Sequence, residues 1–235
     1  MNVTIAAGSE SLSGYLSTPP GAGPWPAVLV VHEAFGLNDD IRGIADRFAA
    51  EGYVALAPDL FSWASTPRCL VSTFRDLLRR QGPTHQRIDA ARDWLAAHDA
   101  CNGSVAVIGF CMGGGFALLA APRPGYTAAS VNYGLVPKDA ERLLAGACPI
   151  VASYGARDRA LRGHAGRLER ALAANGVPHD VQEYAGVSHS FLNRHPGWMS
   201  AFDRISGFGY GATEAEAAWG RIFQFFDHHL RAGSA

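Results

Sequence analysis

The chain has no CxxC pair, and its four cysteines, Cys69, Cys101, Cys111 and Cys148, are scattered through 235 residues. That scarcity argues against a zinc site, a metal centre or a disulfide framework, and makes a reduced, cytoplasmic compartment the default. No block of like charge stands out either. With 20 basic and 21 acidic residues the formal net charge is -1, so neither nucleic acid nor an anionic membrane is expected as a partner. Apolar runs such as 27–31 fall far short of the ~20 residues that span a bilayer. The first residues, MNVTIAAGSESLSGYL, lack a basic region followed by an apolar stretch, so no signal peptide is expected. Internal repeats and low-complexity linkers are missing as well, and one domain over residues 1–235 is the expectation.

What is present is apolar and regularly punctuated. The hydrophobic fraction of 48% and charged fraction of 17% suit a packed globule rather than a disordered chain. Short β-branched runs recur at 26–33, 53–60, 103–110, 128–134, 148–155 and 179–186. Apolar nearly throughout, they read as strands buried on both faces of a parallel sheet. Helical patterns separate them at 40–51, 84–98, 112–121, 139–145, 162–174 and 213–231. Asp39 or Asp40 is placed to cap the first of these and Thr84 the second, while Asn175-Gly176 followed by Pro178 ends the fifth. Strand and helix in alternation imply an α/β fold, a mostly parallel doubly wound sheet with helices on both faces. The segments NVTI and GYLST read as an antiparallel edge hairpin, and 18–26 as a loop.

One turn carries the chemistry. In VIGFCMGGGF (107–116), Cys111 stands between a strand and a helix, with Gly109 and Gly113 flanking it as G-x-C-x-G. This is the nucleophile-elbow pattern with sulfur in place of a serine oxygen. Small residues two before and two after are needed because strand and helix approach closely there. The turn places the sulfur over a helix N-terminus, whose free amides and partial positive charge favour a thiolate and can hold an oxyanion. A buried structural cysteine is the plain alternative. A dinucleotide-binding turn is a poorer one, since G-x-G-x-x-G does not occur here.

A thiol nucleophile needs a base, and the base an orienting acid. Hydrolases of this architecture order them nucleophile, acid, histidine. Asp158 follows the strand at 148–155 and His189 the strand at 179–186, both past strand ends on the edge that carries Cys111. His85, His98, His164, His179 and His195 fall on helices or loops without that context, and His228 and His229 lie in the last helix. Glu33 ends the strand 26–33; a carboxylate there costs desolvation unless it is used or paired, and accepting a hydrogen bond from the Cys111 thiol is its expected role.

HEAFGLND, GFCMGGGFAL, SYGARD and YAGVSHSFLN, in that order and spacing, resemble the dienelactone hydrolase (carboxymethylenebutenolidase) family over nearly the whole chain. The resemblance implies an α/β-hydrolase fold, no cofactor, and a Cys–His–Asp triad of Cys111, His189 and Asp158 with Glu33 as the thiol's partner. It also implies an oxyanion hole from the backbone amides of Ala34 and Met112. Family members hold a substrate carboxylate with arginines, one of them four residues after the catalytic histidine. Here Asn193 occupies that position with Arg194 beside it, and Arg68, Arg75, Arg79 and Arg80 are all candidates for the other arginine, Arg68 being the one weighed as lining the pocket. The expected partner is a small-molecule lactone or ester, acted on by a monomer or small homo-oligomer. A broader carboxylesterase or thioesterase, and a non-catalytic small-molecule binding protein on the same fold, stay open at this point.

Overall fold

Strands that are apolar at every position have no face to give to water. The computed structural model of the chain describes residues 1–8, 10–63, 66–194 and 209–231. It gathers these strands into one eight-stranded sheet. The strands are β1 (Asn2–Ala7), β2 (Glu10–Ser17), β3 (Trp25–Val31), β4 (Val54–Pro58), β5 (Cys101–Phe110), β6 (Ala128–Asn132), β7 (Ile150–Gly155) and β8 (His179–Tyr184). Their order is β1-β2-β4-β3-β5-β6-β7-β8. The first two form the expected antiparallel hairpin, β2 runs antiparallel to β4, and the rest are parallel. All residues of β4, β6 and β7 are buried, which a sheet achieves only when both faces are covered.

The helices that cover it are α1 (Asp39–Ala50), α2 (Thr66–Arg79), α3 (Pro83–Ala96), α4 (Met112–Ala120), α5 (Ala140–Leu143), α6 (His164–Ala174) and α7 (Ala212–Arg231). Neighbouring residues of a strand point to opposite faces, and two residues of β5 show which helix lies where. A Cβ on Gly109 would strike the Gly113 carbonyl of α4 at 1.9 Å. The next side chain, Phe110, packs on Trp219 of α7 with ring centroids 6.1 Å apart. So α4 and α7 lie on opposite faces. On the α7 face, α1 joins through Phe48, whose ring contacts Trp219, Phe223 and Phe226. Its buried residues Ile41, Ile44, Ala45, Phe48 and Ala49 fall at helical spacing.

Three local expectations are corrected. The cap of α1 is Asn38, whose side chain accepts from Ile41 N, rather than Asp39 or Asp40, which lie in the first turn, where their charge suits the helix dipole. Thr84 does not cap α3 but sits inside it, after Gly82 and Pro83. Its N–H and hydroxyl both donate to Asp76 of α2, at 3.0 and 2.8 Å, so a carboxylate from another helix satisfies one of the amides that a local cap would serve. The segment between β4 and α3 had no helix assigned, yet it forms α2. There the pattern is mixed: Cys69, Thr73, Asp76 and Leu77 are buried while Val71, Phe74 and Leu78 are exposed. Candidate His195 lies outside the described residues.

Glycine is costly in helices, by about 1 kcal/mol relative to alanine, and α4 carries three in succession. Two are forced by backbone contact, since a Cβ on Gly113 would meet the Val31 carbonyl at 2.1 Å and on Gly114 the Asn132 carbonyl at 2.5 Å, while on Gly115 it would meet only the movable end of the Leu77 side chain at 2.9 Å. Gly220, exposed in α7, would meet nothing within 4 Å. Gly220→Ala is therefore expected to stabilise the fold by about 0.5–1 kcal/mol, read as a higher urea midpoint at unchanged m-value. No helix among the described residues is long and apolar enough to cross a membrane.

Candidate active site

The sheet register brings two segments side by side. Val31 of β3 pairs with Gly109 of β5, so Glu33 and Cys111, each two residues further on, leave the same edge together. The chain turns sharply at Cys111, with φ 54 and ψ -113, a conformation a non-glycine residue holds only under strain. Three contacts impose it: Gly109 and Gly113 allow strand and helix to touch, and the Cys111 N–H bonds the Asn132 carbonyl at 3.1 Å. The Met112 N–H that follows is the first of α4, and it has no acceptor among the described residues. The Ala34 N–H, on the adjoining loop, has none either.

Two further loops reach the same edge. Asp158 lies just past β7 and His189 just past β8, and the loops that carry them are pressed together. Arg157 N bonds the Val187 carbonyl at 3.0 Å, and a Cβ on Gly155 would strike the Ser188 carbonyl at 2.5 Å. The result is a hydrogen bond of 2.6 Å between His189 Nδ1 and Asp158 Oδ2. The other Asp158 oxygen accepts from Ala160 N at 3.0 Å and Leu161 N at 3.3 Å. Burial works against the Asp158 charge, but the bonded His189 and these two amides outweigh it and hold the carboxyl below its ordinary value.

The Cys111 side chain lies near enough to His189 to act on its charge. Burial disfavours its imidazolium, yet the bond to Asp158 and the interaction with Cys111, together with the negative charge each can carry, raise its pKa to about 9. The structure thus brings Cys111 beside the hydrogen-bonded pair His189–Asp158, with the sulfur half-buried. Glu33 is buried beside it and accepts from Ser190 Oγ at 3.4 Å.

The three residues weighed for a substrate carboxylate are placed differently. Asn193 is fully buried and its amide is spent: Oδ1 accepts from the Tyr133 hydroxyl, and Nδ2 donates to Asp40 at 2.7 Å. It fastens the His189 loop to α1 rather than presenting itself to a ligand. Arg194 stacks on Tyr210 and bonds its hydroxyl at 3.0 Å. It lines a cavity of about 400 Å³ with Asp39, Asp40, Arg47, Tyr210 and Trp219, not with Cys111. Arg68 is exposed on α2, with no ion-pair partner among the described residues.

Several residues that shape the site carried no assignment from sequence. Tyr133, at φ 40, packs its ring 5.1 Å from that of His189. Burial, followed by the charges of Glu33 and Asp40, pushes its hydroxyl well above the ordinary value, so it stays a donor to Asn193. Asp40 also accepts from the Arg194 N–H at 3.0 Å. His32 is fully buried between β3 and the end of β4. Two polar residues in succession closing the apolar run 27–31 were the signal available for it.

A model of the dienelactone hydrolase family matches residues 12–230. The chain belongs to that family. With the family comes its chemistry class: the protein is a hydrolase on an α/β-hydrolase fold. A Yersinia pestis protein provisionally named carboxymethylenebutenolidase is 28% identical over 243 residues, covering 96% of this chain and 87% of that one. The Aquifex pyrophilus protein Usf is 30% identical over 230 residues, covering 92% and 93%. Among solved structures, a dienelactone hydrolase-like promiscuous phosphotriesterase from metagenomic libraries superposes with a TM-score of 0.81 at 28% identity, covering 98% of each chain.

Proposed function

We propose that the protein cleaves a lactone or carboxylic ester through an acyl-thioester on Cys111, using His189 as its acid and base and Asp158 to orient it. The observation that carries this reading is the His189–Asp158 hydrogen bond with Cys111 beside the ring at the strand edge, next to two backbone N–H groups that lack acceptors among the described residues. In the first half-reaction the sulfur attacks the carbonyl carbon, the C=O electron pair moves to oxygen, and the amides of Ala34 and Met112 receive that oxyanion. Collapse breaks the acyl C–O bond, and the proton on His189 goes to the leaving oxygen. Water then attacks the thioester, giving up its proton to His189, and the carboxylic acid leaves as the sulfur recovers.

The high pKa of His189 suits the first half and not the second, and acylation itself corrects this. A thioester carries no negative charge and offers the ring no proton acceptor of comparable strength, so the part of the upward shift that comes from Cys111 disappears. The ring then becomes a better match for activating water near neutral pH. A cofactor has no part in this sequence of steps.

The sign of the pH dependence follows. Below about 9 His189 holds its proton, and above about 9 it loses it. Acylation by an alkyl ester, whose leaving oxygen must be protonated, is expected to slow as pH rises through about 9. Acylation by a p-nitrophenyl ester, whose phenolate departs unprotonated, is expected to persist. Stopped-flow acylation phases give both profiles, and intact-mass analysis of quenched samples locates the adduct. An acyl group on any residue but Cys111, or identical pH profiles for the two esters, overturns the reading.

A further inference from the structure

The two nitrogens of His32 are both committed, and their partners fix the tautomer. The Leu60 N–H can only donate, and it lies 3.0 Å from His32 Nε2. Nε2 is therefore the bare nitrogen, and the ring proton sits on Nδ1. Nδ1 in turn lies 2.7 Å from the Glu33 carbonyl oxygen, to which it donates. The ring is completely buried, its edge against Phe61 at a centroid distance of 4.8 Å. Burial holds its pKa below the ordinary value despite the nearby charges of Asp59 and Glu33. His32 is thus a neutral, single-tautomer bridge from the end of β4 to the loop after β3.

The carbonyl it grips belongs to the peptide that joins Glu33 to Ala34. A trans peptide is planar, and its C=O and N–H point in opposite directions. Whatever aims the Glu33 carbonyl therefore aims the Ala34 N–H the other way. The Gly36 N–H also bonds that carbonyl, at 3.2 Å, but it belongs to the same short loop and moves with it. His32 opens that loop but is tied outside it, through Leu60 just past β4.

The geometry points to His32 as a positioning residue of the reaction: its Nδ1–H holds the Glu33–Ala34 peptide so that the Ala34 N–H faces the oxyanion formed at Cys111. This rests on the reading of that N–H as an oxyanion donor and adds a residue that touches neither substrate nor thiol. Preorganised donors act because they need no reorientation as charge develops. A peptide plane left to swing gives up that advantage in the transition state while binding the neutral ester as before.

Two substitutions divide the role of the ring. In His32→Asn the side-chain amide nitrogen takes the place of Nδ1, keeping the donor to Glu33 and losing the acceptor for Leu60. In His32→Gln the carboxamide oxygen reaches the place of Nε2, keeping Leu60 satisfied and losing the donor to Glu33. His32→Gln is expected to lower kcat for p-nitrophenyl acetate by about 10- to 100-fold, less than outright loss of a donor, with KM within about twofold of wild type. The Ki of a trifluoromethyl ketone, which forms a tetrahedral adduct with the thiol, rises in parallel with the loss in kcat/KM. His32→Asn keeps kcat within about fivefold even where its Tm falls as far. Iodoacetamide titrates one reactive thiol per chain in both variants, which counts correctly folded sites.

The inference is overturned if both variants keep wild-type kcat, if both lose activity in proportion to lost stability, or if the loss lies in KM. Should neither variant fold, wild-type protein labelled with 15N-histidine decides: the His32 signals must report Nδ1 protonated, Nε2 bare, and no titration between about pH 6 and 9. The opposite tautomer or a titrating ring sinks it. Cys111→Ala separates this from the wider reading. Retained turnover in that variant removes the site assignment, whereas an inert Cys111→Ala beside an unimpaired His32→Gln removes only the role of His32.

Discussion

Cys111→Ala is expected to abolish hydrolysis of p-nitrophenyl acetate, by about 10⁴-fold or more in kcat, while leaving the fold in place. With the sulfur gone, what remains is an oriented imidazole and two amide donors. Comparable remnants in triad hydrolases keep only a residual ~10³–10⁴ over water. No acyl-enzyme forms, so the burst and the mass adduct both vanish. The fold survives because the Cys111 side chain is half-buried at the site rather than in the core. The strained turn is enforced by backbone contacts at Gly109 and Gly113 that alanine at 111 leaves untouched. Far-UV circular dichroism and Tm verify the second half of the expectation. Turnover near the wild-type rate would remove the thioester mechanism.

Asp158→Asn is expected to cost about 10³- to 10⁴-fold in kcat/KM, and the hydrogen bonds say why a neutral isostere is so damaging. Oδ1 receives the Ala160 and Leu161 amides, so an asparagine must keep its oxygen there to satisfy them. Its NH2 then faces His189 Nδ1, where the carboxylate accepted a hydrogen bond of 2.6 Å. Two donors cannot share that bond, and the ring is driven to the tautomer with Nε2–H. That tautomer presents a proton to the sulfur where a base is needed. It also loses the charge that supports the imidazolium, so the His189 pKa falls from about 9. Kinetics of the purified variant test the first effect and histidine NMR the second. Activity within tenfold of wild type would point to another orienting acid.

How much of this was readable beforehand differs between elements. The strands at 26–33, 103–110 and 148–155 stood out because residues buried on both faces must be apolar at every position, a local signal that needs no partner. Gly109, Cys111 and Gly113 were legible for a related reason: a tight strand-to-helix turn excludes side chains, and the exclusion is written as glycine. Helix α2 was harder to read, since polar Thr73 and Asp76 join Cys69 and Leu77 on its buried face while apolar Val71, Phe74 and Leu78 face outward. Hydrophobic spacing assigns a helix by supposing that apolar residues seek the core, and here a buried carboxylate is stabilised by the Thr84 amide and hydroxyl. The caps of α1 and α3 failed for similar reasons, one displaced by a single residue and the other supplied from a different helix.

The amino-acid order by itself determined the alternation of strand and helix, the place of the elbow, and the family, because each of these depends on contacts between near neighbours or on the volume allowed at one position. It also set the chain order of Cys111, Asp158 and His189. What only the tertiary structure decided is aim. Asn193 was positioned by homology to meet a substrate and is instead consumed by Tyr133 and Asp40. His32, legible only as a polar residue closing an apolar run, acquires its tautomer from Leu60 and its purpose from the Glu33 carbonyl. Hydrogen-bond direction depends on which groups far apart in the chain are folded against each other, and one dimension of sequence does not carry that.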